Sequence, residues 1–187
     1  VNEIFFSIQG ESSYVGRPCV FVRLTGCDLR CTWCDTPYAF DEGLKRSVQD
    51  VVSEVDKYEC PLVEITGGEP LLQEDVYTLM KSLLVSGKTV LLETGGHLDT
   101  SRVPPDVVKV VDVKCPGSGE SARVDVRNLD RLLPHDEVKF VIGDRPDYEY
   151  ARGFLRTHSL PDRCRWILFS PVHGELNAEK LAEWVLA

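Results

Sequence analysis

The sequence has no apolar stretch long enough to cross a membrane. Its longest mostly apolar runs, such as Lys109–Val113 and Trp166–Phe169, are the length of single strands. No charged-then-apolar leader opens it, so no secretory signal is expected. Val1 stands so directly before a strand-like run that a few upstream residues are expected to be missing. Internal repeats, low-complexity tracts and long linkers are absent, which leaves one domain over residues 1–187 as the expected organisation. Basic residues are also in short supply: 21 Lys and Arg against 30 Asp and Glu give a net charge of −9. No basic face that would neutralise phosphates is visible, which argues against a nucleic-acid partner. A membrane partner is likewise not expected.

What is present is an ordinary balance for a globular chain, 43% hydrophobic and 27% charged. Cysteine is the exception. There are seven, an odd number at uneven spacing. Cys19, Cys60, Cys115 and Cys164 are scattered, whereas Cys27, Cys31 and Cys34 crowd into one loop. With no signal peptide, the cytoplasmic reading is preferred, where thiols stay reduced and a cysteine cluster points to metal rather than to disulfides.

Short β-prone runs alternate with helical periodicity along the chain. Glu3–Gln9, Cys19–Thr25, Leu62–Thr66, Thr89–Glu93, Val107–Val113, Glu137–Ile142 and Arg165–Phe169 read as strands. Helices are expected over Ser47–Tyr58, with Ser47 as N-cap and Asp50 at N3, and over Leu71–Val85, stopping before Gly87. Further helices are expected over Asp147–Thr157 and Asn177–Leu186, with a short one at Asn128–Leu133. This rhythm predicts an α/β fold, a parallel sheet covered by helices. About six parallel strands after the first is too few for the eight of a closed (β/α)8 barrel, so the expected architecture is an open, partial TIM-type barrel with few covering helices. Ligands in such sheets gather at the carboxyl ends of the strands. The polar and glycine-rich segments fall there: Thr25-Gly26, Thr66–Glu69, Glu93–Gly96, Asp112–Lys114 and Ser170–His173.

Cys27-x3-Cys31-x2-Cys34 follows directly on a strand. Thiolates are the normal ligands of iron–sulfur clusters, and a four-iron cube ordinarily takes four of them. Three in a tight loop leave one iron open, which is what cofactor chemistry needs and an electron carrier does not. The competing reading is a structural zinc, which wants a fourth Cys or His close by. His97 is the nearest histidine in sequence, and Cys19 and Cys60 lie in or beside strands.

The cysteine spacing, with Trp33 before the third cysteine, resembles the signature of the radical S-adenosylmethionine superfamily. Thr66-Gly67-Gly68-Glu69-Pro70 resembles that superfamily's glycine-rich motif, which contacts the methionine end of the cofactor. Two glycines let a backbone approach a ligand closely. Within the superfamily the chain resembles the 7-carboxy-7-deazaguanine synthases nearly end to end. The segments that carry this are Phe6–Ser12, Phe21–Leu24, Cys34-Asp35-Thr36, Glu93–Gly96, Asp112–Lys114 and Glu137–Val141.

The resemblance implies a radical S-adenosylmethionine lyase with a 4Fe-4S cluster, S-adenosylmethionine and Mg2+. Its implied reaction is the rearrangement of 6-carboxy-5,6,7,8-tetrahydropterin to 7-carboxy-7-deazaguanine with loss of ammonia, in queuosine and deazapurine biosynthesis. One electron from the cluster would cleave the sulfonium, and the resulting 5′-deoxyadenosyl radical would take a hydrogen from the pterin and later return it. An external reductant of flavodoxin or ferredoxin type and a homodimer are implied as well.

By the same resemblance Cys27, Cys31 and Cys34 hold the cluster and are the catalytic residues, and Thr36 contacts magnesium. Ile8, Gln9, Gly10, Glu11, Arg23 and Thr66 are the implied substrate contacts. Gly67, Gly68, Glu69, Asp112, Val113, Lys114, Ser170, Pro171, Val172 and His173 are the implied S-adenosylmethionine contacts. Several have a plainer reading. Gln9 and Glu11 could form a polar turn, and Arg23 could be a surface residue, although a buried arginine needs an anionic partner and its planar fork suits a carboxylate. Glu69 could accept from the cofactor's amino group or simply cap the following helix. His97, His135 and His158 are expected at the surface or in loops. Two other functions remain open on sequence: an activase of a glycyl-radical enzyme, and a non-enzymatic metal-binding module.

Overall fold

Short strands buried on both faces, such as Leu62–Gly67 and Val108–Asp112, set the architecture. The computed structural model describes all 187 residues. In chain order the elements are β1 Glu3–Ile8, β2 Pro18–Leu24, α1 Val48–Asp56, β3 Leu62–Gly67, α2 Val76–Val85, β4 Thr89–Thr94, β5 Val108–Asp112, β6 Glu137–Ile142, α3 Arg145–Thr157, β7 Trp166–Pro171 and α4 Ala178–Leu186. They build one seven-stranded sheet in sequential order, β1 to β7. β1 runs antiparallel to β2, and β2 to β7 are all parallel. The sheet does not close, because β1 and β7 remain its two edges. The expected partial barrel of six parallel strands is therefore the fold observed.

Side chains at alternate positions divide the sheet into two faces. The outer face packs on helices in two apolar clusters. Val20, Val22, Val63, Ile65, Val90 and Leu92 meet Val51 and Val55 of α1 and Leu79, Met80 and Leu83 of α2. Val111, Val138, Phe140 and Ile142 meet Tyr148 and Ala151 of α3 and Leu181 of α4. The inner face carries Phe21, Arg23, Glu64, Thr66, Glu93, Asp112 and Lys139, which line a cavity instead of a core. No helix of the chain is long and apolar enough to cross a membrane.

The helices begin where capping chemistry places them. Ser47 accepts from the Asp50 amide, and Asp50 accepts from the Ser47 amide, a reciprocal capping box on α1. Asp144 caps α3 by accepting from the Asp147 amide, so that helix starts two residues before the expected Asp147. The segment expected as one helix from Leu71 to Val85 is broken. Pro70–Leu72 forms a 3-10 turn, Gln73 is extended, and α2 starts only at Val76. The reason is tertiary: the Gln73 side-chain amide donates to the Thr25 carbonyl (2.8 Å), tying this turn to the end of β2. The short helix expected at Asn128–Leu133 is a 3-10 turn over Val126–Arg131.

Candidate active site

The inner face of the sheet opens into a cavity of about 480 Å³ at the carboxyl ends of the strands. Its wall is built first by the loop that follows β2. Cys27, Cys31 and Cys34 are free thiols, half-buried, and all three line the cavity. The loop has no regular structure and is held from outside. Thr32 donates through its amide to the Ser118 carbonyl (3.1 Å) and through its hydroxyl to the Gly117 carbonyl (2.8 Å). The Arg30 amide donates to Glu120 (2.7 Å). Asp28 bonds the His97 ring (2.7 Å) and the Arg123 guanidinium (2.6 Å). His97 lies in the loop after β4, as expected, but its side chain is 2% exposed and clamps the cysteine loop. His135 and His158 lie half-buried outside the cavity.

Three thiols are what this cavity offers a metal centre. Cys19, Cys60 and Cys115 are buried elsewhere, Cys164 does not reach the cavity, and His97 is committed to Asp28. The thiols do not converge as ligands of a single ion would. A four-iron cube places each thiolate on a different iron, so three spread soft donors fit the cluster better than a tetrahedral zinc, which needs its ligands to converge on one ion. Burial pushes the Cys27 and Cys31 thiols up, with nearby Lys114 pulling Cys31 partly back. Ligation to iron must therefore displace protons from both.

The glycine-rich turn after β3 presses on this loop. A side chain on Gly67 would meet the Leu24 carbonyl oxygen at 2.4 Å, and one on Gly68 would meet the Gly26 carbonyl oxygen at 2.0 Å. The Glu69 amide donates to that same Gly26 oxygen (2.7 Å). The two glycines therefore allow the turn to touch the root of the cysteine loop, while still lining the cavity. Glu69 is 1% exposed. Its carboxylate accepts from the Leu71 amide (3.0 Å), the Thr94 hydroxyl and the Gly95 amide (2.8 Å), and burial nonetheless pushes its pKa up. Glu69 caps the 3-10 turn Pro70–Leu72 and not α2, whose N-cap position is Asp75.

The floor is formed by the strand ends and the loop after β1. Gln9, Gly10, Glu11, Arg23, Thr36 and Thr66 all line the cavity, whereas Ile8 is 65% exposed and does not. Gln9 is buried between Glu64, to which its amide donates, and the Glu11 backbone amide, from which it accepts (2.8 Å). Arg23 lines the cavity, its Nε donates to Glu3 (2.7 Å) and its guanidinium lies over the Phe5 and Tyr38 rings. Thr36 opens the 3-10 turn Pro37–Phe40 without a side-chain capping bond, and its hydroxyl lies 3.9 Å from the Cys34 Sγ. Three charged strand residues of the cavity were not singled out from the sequence as contacts: Glu64, Glu93 and Lys139. Each stands in an otherwise apolar strand, the same signal that marked Arg23. Lys139 Nζ pairs with Glu11 (2.6 Å) and with Glu93, and Thr66 donates to Glu93 (3.0 Å). Burial raises Glu93, but Lys139 prevails and holds it down to about 2. Burial and the Glu93 charge push Glu64 up to about 8.

The last wall follows β5 and β7. Asp112 and Lys114 line the cavity as an ion pair (2.7 Å), and Val113 between them is fully buried in the core. Burial works against the charge on Lys114, but Asp112 and then Cys31 more than offset it, so its pKa is raised. Ser170, Pro171, Val172 and His173 line the far edge.

Known proteins share this arrangement. Residues 21–112 match the family model of the radical SAM superfamily. The chain is 51% identical to 7-carboxy-7-deazaguanine synthase of Koribacter versatilis, spanning 100% of this chain and 88% of that one. It is 41% identical to the enzyme of the same name from Chlorobaculum tepidum, spanning 100% and 86%. A crystal structure of QueE from Escherichia coli superposes with a TM-score of 0.81 at 27% identity, over 99% of this chain and 88% of that one. The chain belongs to the 7-carboxy-7-deazaguanine synthase family of radical S-adenosylmethionine enzymes.

Proposed function

We infer that this chain converts 6-carboxy-5,6,7,8-tetrahydropterin to 7-carboxy-7-deazaguanine with loss of ammonia, as a carbon–nitrogen lyase of deazapurine and queuosine biosynthesis. The observation that carries this reading is one cavity that joins three free thiols to a floor of hydrogen-bond acceptors and a single arginine wall. When bound through Cys27, Cys31 and Cys34, the 4Fe-4S cluster supplies one electron to S-adenosylmethionine, the source of the radical in this superfamily.

The residues of the chain bind and orient. Glu11 and Glu93 share the Lys139 ammonium while Glu64 accepts from Gln9, so the three carboxyl groups keep further lone pairs to accept with. The amidine edge of a pterin presents N–H donors that such acceptors match. Arg23 lines the same cavity on the strand next to Glu64, its remaining N–H groups suited to the substrate carboxylate. A site built on these groups rejects ring analogues that leave them unpaired. Gly67, Gly68, Asp112, Lys114 and Ser170–His173 line the same cavity and in this reading take S-adenosylmethionine, while the Thr36 hydroxyl, an oxygen ligand of the kind magnesium prefers, binds Mg2+ with substrate oxygens. One domain, a homodimer, an external flavodoxin- or ferredoxin-type reductant and a cytoplasmic location complete the reading, with no nucleic acid or membrane partner.

Anaerobic reconstitution with iron and sulfide, followed by reductant, S-adenosylmethionine, Mg2+ and the carboxytetrahydropterin, tests it. Carboxydeazaguanine is the expected product. A fully loaded cluster that yields none refutes the assignment.

A further inference from the structure

A carboxamide has nearly the same shape in its two flipped orientations, and only its partners decide which end faces where. Gln9 is 3% exposed, so it cannot rely on water to settle the choice. Its backbone is pinned first: the Gln9 amide donates to the Arg17 carbonyl and its carbonyl accepts from Gly16, each at 2.8 Å. The Glu11 backbone amide then points at the side-chain oxygen (2.8 Å), and the Glu64 carboxyl accepts from the side-chain nitrogen. Glu64 stands on β3, opposite Phe21 of β2 and Leu91 of β4, with its side chain on the cavity face.

We propose that Glu64 is a positioning residue that locks the Gln9 carboxamide in one orientation, and thereby sets the donor and acceptor pattern that the cavity floor presents to the ring edge of the substrate. The proposal rests on the pterin reading given above. Its physical basis is that a buried amide deprived of one partner either stays unpaired or swings away, and either outcome weakens whatever it was placed to read. A second feature follows from the surroundings. Glu64 faces Glu93 of β4, Lys139 of β6, Glu11 and Gln9 of the loop after β1, and the Cys19 thiol of β2. Burial and Glu93 push its carboxyl up to about 8, so near neutrality it is chiefly the uncharged acid and gains its charge only above that range.

Two variants separate the hydrogen bond from the charge. Glu64→Leu removes the acceptor and a buried ionisable group while keeping a side chain of similar size, and circular dichroism verifies that the variant is folded. Glu64→Gln keeps an acceptor oxygen for Gln9 but cannot ionise. Equilibrium binding of fluorescent 6-carboxypterin to the cluster-loaded protein without reductant gives an affinity free of turnover, and steady-state turnover of carboxytetrahydropterin gives KM and kcat. Glu64→Leu is expected to weaken binding and raise KM by about tenfold, with kcat within a few-fold of the parent. Glu64→Gln is expected to restore both at pH 7 and to lose an inflection near pH 8 in the KM profile of the parent. Unchanged affinity and KM in Glu64→Leu, or equal impairment in both variants, overturns the proposal. A parent protein that binds and turns over no pterin overturns the substrate reading itself, and this inference with it.

Discussion

Adding one methyl group at Gly68 tests how the cysteine loop and the glycine-rich turn depend on each other. A Cβ there would lie 2.0 Å from the Gly26 carbonyl oxygen and 2.6 Å from its carbon, both backbone atoms that cannot rotate away. Restoring ordinary contact at 3.4 Å requires the two backbones to part by roughly 1 Å or more. Overpacking of this kind costs about 1–3 kcal/mol. The separation also weakens the Glu69 amide bond to Gly26, now 2.7 Å, for about 1 kcal/mol more. A total of about 2–4 kcal/mol translates to a Tm lower by about 5–15 °C for a chain of this size. Thermal unfolding followed by circular dichroism on the metal-free Gly68→Ala protein reads this directly, and iron content after reconstitution reads the consequence for the cluster. Gly153 in α3, with no atom within 4 Å of an added Cβ, is the control. Its replacement by Ala should raise Tm slightly through helix propensity. If Gly68→Ala unfolds at the parent temperature and takes up the parent amount of iron, the glycine serves a ligand alone and the loop-contact argument is wrong.

Other perturbations follow from the same geometry. Lys139→Met removes the cation that keeps Glu93 low, and breaking such a buried pair costs about 3–5 kcal/mol near neutrality. Because a depressed carboxylate adds stability above its unfolded pKa of 4.5 and loses it as the pH falls toward 2, the gap in Tm between parent and variant should narrow from pH 6 to pH 3; a gap that stays constant counts against the pairing. His97→Ala frees Asp28 from its 2.7 Å bond and should lower the iron bound per chain after reconstitution, with parent-level loading the contrary result. Thr36→Ala should abolish the stimulation of turnover by Mg2+, and an unaltered magnesium titration would remove the threonine from the metal site.

The strands and the cysteine loop were legible in the sequence because each leaves a local trace: alternating apolar runs, and thiols at fixed spacing. Arg23 stood out because a charge inside an apolar strand demands a partner. Glu64, Glu93 and Lys139 carry that same mark, but which charges meet is set by register between strands distant in sequence. Glu64 pairs in register with Leu91, Glu93 with Val110 and Lys139 with Asp112, so the three reach one cavity only once the sheet is assembled. His97 left no trace at all, since its partner Asp28 lies in a different loop. The break before α2 was hidden for the same reason: Leu71 and Leu72 continue a helical period, and only the bond from Gln73 to the end of β2 shows why the chain departs from it.

Three thiols of one loop are assigned to a four-iron cluster whose remaining iron receives S-adenosylmethionine. Mössbauer spectroscopy of the reconstituted protein, recorded without and with S-adenosylmethionine, addresses this most directly. One iron site distinct from the other three, altered when S-adenosylmethionine is added, is the predicted result, together with loss of the cluster spectrum in Cys31→Ala. Equivalent irons that ignore S-adenosylmethionine, or an intact cluster in Cys31→Ala, would contradict it.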